Sequence, residues 1–441
     1  ADADTSYGAL NSNSITLFKV ELNKLPVSAD VYTEAFMRDT GATSVEEMIM
    51  EHTAGAGLAL SSPSVATTEP LDRNAESSVS LRGLYTPNYQ RDGLIPLNTY
   101  STSSSTGTGF TSNFDMERVE VIRGPQSLLY GSGGGGGVIN HVSKQARFGK
   151  PQFGSLRLAV DHQGHKKGEL DLGFGSRRVA ARFAAIRQTV GGRRVDIGGP
   201  LQGEYAQLAV RLFDHTTVRV NGTRTRFLTN LPWTPVLTAP SQANDERNGM
   251  NLHYLLATNQ MAASATGPSG TGIIGGGHVT WDNVDSYGGW QRREKTLSSM
   301  GAITLESNWN SWLATHLSAG YKDYLTRYAF ATAGLVAPNV ASNPLGRWAV
   351  VRSAGALGED RRGAKTKGVR FAVHADGHFF DRRVRSRSVL GTDFSRVTPF
   401  FDYVSYYQKG VLPRVGLPAF YWAVDQGPVS RSAARSENEM K

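Results

Sequence analysis

Cysteine is absent from the 441 residues, so disulfides and thiolate metal sites are excluded. No run of 18 or more apolar residues exists either, so no transmembrane helix is available. A membrane barrel survives that test, because its strands alternate lipid-facing and lumen-facing residues and look mildly polar on average. No start methionine and no signal peptide precede Ala1, which points to an N-terminus that is processed or cut from a longer parent. Catalytic equipment is missing as well: there is no HExxH, no nucleophile elbow and no placed carboxylate pair, so neither an enzyme nor a cofactor is expected. His374 and His378 share a strand face but lie about 13 Å apart at roughly 3.3 Å per residue, too far to chelate one ion. His162 and His165 fall in a turn, so no metal site is expected.

What the chain has in plenty is glycine, 49 residues, five of them consecutive at Gly133 to Gly137. These sit within Glu117 to Lys144, which reads as strand, short helix, glycine turn and second strand. Val119, Val121 and Arg123 alternate with Glu120 and Ile122. Gly124 and Pro125 stop that strand, and proline suits the first turn of a helix over Gln126 to Tyr130. The glycines permit positive φ and close approach of backbones, after which Val138, Ile139 and Val142 resume a strand. A phosphate-loop reading fails because no Lys-Ser or Lys-Thr follows the glycines. The formal charge of +9 is scattered rather than clustered, and aromatics do not interleave with the Arg-Gly pairs, so no nucleic-acid partner is expected.

The pattern divides the chain into 1–146 and 147–441. The first part is mixed α/β. Val27 to Tyr32 reads as a strand, Thr33 caps a helix to Arg38 that ends near Gly41, and Ser44 with Glu47 forms a capping box for a helix carrying Val45, Met48 and Ile49. Asn98 to Asn113 reads as a loop. After Phe148 long alternating strands take over: Leu156, Leu158 and Val160 oppose Arg157 and Asp161, and Val369, Phe371 and Val373 oppose Arg370 and His374. Short turns near Gly175 to Arg177, Asp214 to Thr216, Asn310 to Ser311 and Phe380 to Arg383 alternate with long loops. The loops are placed near Gly191 to Gln202, Asn230 to Arg293, Ala329 to Ala364 and from Lys409 onward. Such segregation of loop length is what a transmembrane barrel requires. Trp309, Trp312, Phe379 and Phe380 flank the short turns as an interfacial girdle does, while Tyr321, Tyr324, Tyr328, Tyr403, Tyr406 and Tyr407 fall toward the other strand ends.

The run ERVEVIRGPQ at Glu117 to Gln126, Tyr130-Gly131, and GVIN at Gly137 to Asn140 followed by Val142 and Lys144 resembles the end of the plug domain of TonB-dependent outer-membrane receptors. Leu81-Arg82-Gly83 and Arg91-Asp92-Gly93 are similar to the family's other plug signature, and Leu25 to Ile49 to its opening strand and helix. The resemblance implies an α+β plug followed by antiparallel transmembrane β-barrel strands, in the bacterial outer membrane. About nine strands are countable between Pro151 and Tyr407, against about 22 in plugged transporters. A closed barrel of that size would need about 700 residues after the plug, so the barrel is expected to be incomplete in this chain.

The resemblance further implies a receptor that captures a scarce ligand, most simply a ferric siderophore, and imports it with work from the inner-membrane TonB complex. Outer-membrane lipid and lipopolysaccharide would surround it. No TonB box is matched before Tyr7. Gly83, Gly93, Gly124 and Gly131 are the motif glycines. Arg82 and Arg123 are expected to pair with glutamates of the barrel wall, and Tyr85, Tyr89, Arg91 and Tyr100 to meet the ligand at the plug apex. Rival readings are a receptor for a cobalamin, a saccharide or another metal chelate, a surface signalling receptor, and a soluble β-rich adhesin.

Overall fold

The computed structural model describes residues 28–40, 45–58, 79–85, 88–97, 112–124, 136–160, 165–191, 198–230, 293–336, 349–379, 384–408, 426–435 and 438–440, with the residue pairs 11–12, 20–21, 99–100 and 105–106. The first body opens with β1 (Ser28–Thr33), α1 (Glu34–Asp39) and α2 (Val45–His52). Thr33 is the N-cap expected of it, its hydroxyl accepting from the Phe36 amide at 3.3 Å. The C-cap is Thr40, whose hydroxyl turns back onto the Phe36 carbonyl at 3.0 Å. Gly41 and Ser44 lie outside the described residues. Val45, Met48 and Ile49, spaced three and one apart on α2, are all buried.

Three short strands, β2 (Ala56–Leu58), β3 (Val79–Leu81) and β4 (Leu84–Tyr85), form one small sheet. A second sheet contains β5 (Asn88–Arg91), β6 (Ile95–Pro96), β7 (Met116–Arg123) and β8 (Gly137–Ser143), in the order β1-β7-β8-β5-β6. Strand β7 pairs antiparallel with β1 and β8, while β8 pairs parallel with β5. The sequence alternation of β7 does not separate a wet face from a dry one. Val119, Val121, Glu120 and Ile122 are all fully buried, because helix α2 and the wall described next cover both faces. The helical turn expected over Gln126 to Tyr130 lies outside the described residues.

The second body is one antiparallel sheet. Its strands are β9 (Gln152–Val160), β10 (Lys166–Gly175), β11 (Val179–Gly191), β12 (Gly198–Phe213), β13 (Thr216–Asn230), β14 (Arg293–Asn308), β15 (Leu313–Val336), β16 (Ala349–Phe379) and β17 (Val384–Gln408). Each pairs with the next in sequence, a simple meander, and the expected nine strands are there. Two further strands, β18 (Gln426–Arg435) and β19 (Asn438–Met440), both pair with β17 in the stretch read from sequence as a loop from Lys409 onward. Strands β15 and β16 also run on to Val336 and back to Ala349, into the loop expected at Ala329 to Ala364. The loop expected at Asn230 to Arg293 and the turn at Phe380 to Arg383 fall outside the described residues.

The burial pattern of this sheet is inverted relative to a water-soluble protein. Leu156, Leu172, Phe174, Phe183, Leu208, Val220, Ile303, Val369 and Phe371 are exposed, whereas Asp171, Arg182, Gln207, Ser318, Lys322, Thr366 and Arg370 are buried. Apolar residues outside and polar residues inside suit a wall with lipid on its convex side. Trp309 and Trp312 stay about half exposed at the β14–β15 turn, as an interfacial pair does, and His215 at the neighbouring turn stacks on Phe213 and tilts against Trp309. Of the tyrosines, Tyr321 points out and Tyr324 points in, where Thr326 donates to its hydroxyl at 2.8 Å.

Candidate functional site at the plug–barrel interface

The first body is held against the inner face of the wall, and the residues doing so come from both. Lys144 leaves the end of β8 and places its ammonium 2.7 Å from Asp171 Oδ2 on β10 and 3.0 Å from Glu34 Oε1 at the start of α1. Arg182 on β11 grips Asp171 through Nε at 3.0 Å and Nη2 at 2.7 Å, and reaches Glu34 at 3.1 Å and Glu117 at 3.6 Å. Lys144 and Arg182, with Arg147 3.7 Å from Glu117, therefore answer three carboxylates, of which Asp171 and Glu117 are largely enclosed and Glu34 is partly exposed, and each charge depends on its partners. Backbone groups are captured beside them. Gln207 accepts from the Ala146 amide at 2.6 Å, Arg219 donates to the Ala146 carbonyl at 3.2 Å, and the Tyr205 hydroxyl donates to the Lys144 carbonyl.

Beyond this ionic cluster the contact is apolar. Phe114 packs on Ala184, Ile186, Leu201, Tyr205 and Phe227 of β11 to β13. Farther round the wall the turn after β5 presses Leu94 and Ile95 onto Gly320 of β15 and Gly368 of β16, which are direct cross-strand partners. A β-carbon placed on Gly320 would lie 2.7 Å from Ile95 Cδ1, and one on Gly368 would lie 3.0 Å from the Leu94 carbonyl. Only glycine lets the turn approach the wall this closely. Lys322 completes the contact by donating to the Leu97 carbonyl at 2.8 Å. Between the two regions lies a cavity of about 200 Å³ of mixed character, lined by Leu94, Ile95, Arg118 and Gln145 on the plug side and by Asn221, Ala302, Thr304, Glu306 and His316 on the wall side.

Several residues expected at the site are placed elsewhere. Arg123 pairs with Asp30 at 3.0 Å and donates to the Ala54 carbonyl at 3.2 Å, both within the first body and not on the wall. Arg82 is exposed at the β3–β4 turn with its guanidinium over Gly124. The plug side of the ionic cluster is instead Lys144, Glu34 and Glu117. Tyr89 is 1% exposed within the hydrophobic core, so it faces no ligand. Arg91 is also enclosed: it pairs with Asp115 at 2.9 Å and donates to Ser143 at 2.8 Å. Its neighbour Asp92 accepts from the Ser143 amide at 2.7 Å, and the Gly93 amide donates to Asn140 at 2.8 Å, which itself donates to Glu120. The arginine, aspartate and glycine of that motif thus tie the turn to β7 and β8. Asp92 and Gly93 both adopt positive φ, 52° and 64°, as do Arg82 and Gly83 at 54° and 72°. Gly124 follows at 95°. Gly131 and the side chains of Tyr85 and Tyr100 lie outside the described residues.

His141, on β8 beside Tyr89, is fully buried and neither ring nitrogen has a hydrogen-bond partner among the described residues. Burial, and then the positive charges of Arg91 and Lys322, push its pKa down to about 3.

A body packed inside a sheet that is apolar outside and polar inside is the arrangement of a plugged barrel, and the comparisons agree. The family profile for the TonB-dependent receptor plug domain matches residues 21–138. Residues 21–138 are thus similar to the TonB-dependent receptor plug domain, and the chain has the fold of such a plug joined to part of an outer-membrane barrel. It is 29% identical over 185 residues to the probable TonB-dependent receptor BfrD of Bordetella pertussis, a match covering 40% of this chain and 22% of that one. It is also 29% identical over 148 residues to the ferripyoverdine receptor of Pseudomonas aeruginosa, 33% of this chain and 16% of that one. Among solved structures, the ferripyoverdine receptor of P. aeruginosa bound to ferripyoverdine aligns with a TM-score of 0.67 at 16% identity, covering 99% of this chain and 51% of that one. The siderophore receptor PiuA of Acinetobacter baumannii gives 0.62 at 16% identity, covering 99% and 56%. The chain therefore spans about half the length of these solved receptors.

The ionic cluster was not legible from the motifs. Lys144 closes the plug signature, Glu34 opens a helix, and Asp171 and Arg182 sit on polar faces of alternating strands, so each had a visible place but no visible partner.

Proposed function

We propose that this receptor imports a ferric siderophore across the outer membrane, with the plug (residues 1–146) closing the lumen of a barrel that begins after it. The observation that carries the reading is the character of the plug–barrel boundary. Ion pairs, a cavity of mixed character and a glycine window make an interface that can be separated and re-formed, whereas an obligate core would be apolar throughout. Similarity to a relative named as a ferripyoverdine receptor supports this ligand class. Tyr85 and Tyr100 remain the candidate apex contacts, offering aromatic faces and phenols to a chelate. The energy for release would come from the TonB complex of the inner membrane, since tight capture alone leaves the ligand bound. Outer-membrane phospholipid and lipopolysaccharide would cover the apolar convex face, and no nucleic acid enters this reading.

The test is growth of a receptor-deleted strain on single ferric siderophores as the iron source, with binding of the same chelates to the purified receptor. Loss of growth on one chelate, restored by the intact gene and matched by saturable binding, is the expected result. Unchanged growth on every ferric chelate, with a defect on cobalamin or a saccharide, would overturn the siderophore reading.

A further inference from the structure

Among the described residues, two of the regions where plug meets wall differ in how hard they are to undo, and Met300 of β14 also packs on the plug core. On β10 to β13 the contact combines ion pairs with the packing of Phe114, it captures the backbone of Lys144 and Ala146, and it is continuous with the covalent connection into β9. On β15 and β16 it is two side chains resting on bare backbone, plus one hydrogen bond from Lys322. The turn that makes this second contact is stiff, because Asp92 and Gly93 are bonded to Ser143 and Asn140 of β8. When it leaves the wall it therefore carries the plug sheet with it instead of peeling away alone. The cavity of about 200 Å³ lies between the two regions and carries polar side chains on both sides beside Leu94, Ile95 and Val142, so widening it exposes polar groups that water can satisfy.

We propose that the plug opens as a hinged door. Its hinge is Lys144 to Ala146 on β10 to β13, its free edge is the Leu94-Ile95 knuckle seated on the Gly320–Gly368 window, and the passage widens along the seam beneath β13 to β15. One arm of the test rests on the import reading, the other does not.

These 441 residues contain no cysteine, so the introduced thiols are the only ones this part of the receptor contributes. In isolated outer membranes, Ser318→Cys places a thiol in the buried seam lining, to be probed with a charged maleimide. Gly368→Leu fills the window, and labelling is expected to rise at least tenfold. A disulfide between Ala146→Cys and Ala209→Cys, which pack together at the hinge, is expected to form as readily as in the parent. If Gly368→Leu fails to fold, Leu94→Gly with Ile95→Gly releases the same contact from the plug side. Unchanged labelling, or a hinge disulfide that no longer forms, would overturn the door. In the second arm, a Leu94→Cys/Gly368→Cys tether should cut ferric-siderophore uptake at least tenfold until reduced, while the hinge tether leaves uptake unaltered. Uptake that survives the window tether, or is lost to the hinge tether, contradicts the proposal. If the untethered receptor takes up no siderophore, the import reading fails and the labelling arm still decides the hinge.

Discussion

Asp171 Oδ2 is shared between two cations from different bodies, lying 2.7 Å from Arg182 of the wall and 2.7 Å from Lys144 of the plug. Both cations are nearly closed off from solvent, with 4% and 7% of their side chains exposed. Replacing Arg182 with methionine keeps most of the volume and leaves Asp171 and Glu34 to the Lys144 ammonium alone, with Glu117 left to Arg147 at 3.7 Å. Removing one partner of a buried pair costs about 3 kcal/mol or more, because the remaining charges are left uncompensated. The expected outcome is a plug that becomes protease-sensitive at a lower urea concentration while the barrel sheet persists, read by limited digestion across a urea series.

Arg91 gives a sharper test because two roles were conceivable for it. Its guanidinium is spent on Asp115 and Ser143 inside the plug. Arg91→Lys keeps the charge and loses the planar fork that reaches several acceptors at once. It should therefore destabilise the plug by about 2 kcal/mol, measured by thermal protease resistance. A ligand-contacting arginine would instead weaken chelate binding and leave plug stability untouched.

The same residue shows what sequence reasoning could and could not see. The motif around Arg91, Asp92 and Gly93 marked a turn, and the positive φ angles of 52° and 64° are that turn. Its partners are 24 and 52 residues away in sequence, at Asp115 and Ser143, and no local pattern encodes such pairings. The nine wall strands were legible because period two survives wherever one face meets lipid and the other a polar lumen. Alternation carried no such information in β7, where Glu120 is as buried as Val121 on the opposite face. Arg123 was misassigned for a related reason: it sits beside the motif glycine, and only the β1–β7 register brings Asp30 to it. The glycine window was hidden too, since Gly320 and Gly368 are 48 positions apart and become a pair only through the β15–β16 register.

His141 predicts a pH dependence with a definite sign. Its pKa is about 3 in the folded plug against an ordinary 6.5, so between these values the unfolded chain binds the proton and the folded one does not. Stability from this residue is complete above about pH 6.5 and falls as the pH drops toward 3. Two pH units below the ordinary value, the loss is about 2 to 3 kcal/mol at 1.36 kcal/mol per unit. His141→Gln, which cannot take up a proton, should flatten that part of the profile when plug unfolding is followed at pH 4.5 and 7. An equally steep slope in the variant would assign the dependence to other groups.

The inverted wall predicts opposite responses to one kind of substitution on its two faces. Phe183 is exposed on the convex side of β11, and its cross-strand neighbours Leu172 and Ala206 continue the apolar surface. An arginine at Phe183 has to be held in hydrocarbon, at a cost of about 2 to 4 kcal/mol near the bilayer midplane and less toward either interface. At Ser318, which faces the lumen, arginine meets polar neighbours and no lipid, so its cost is one of crowding against the plug. Refolding the receptor into phosphatidylcholine vesicles should therefore show Phe183→Arg impaired in a way that shorter acyl chains relieve, because a thinner bilayer brings the charge nearer to water. Ser318→Arg should be indifferent to acyl-chain length. Equal sensitivity at both positions would mean that the convex face does not contact lipid, and the burial pattern of the sheet would then need a protein partner to explain it.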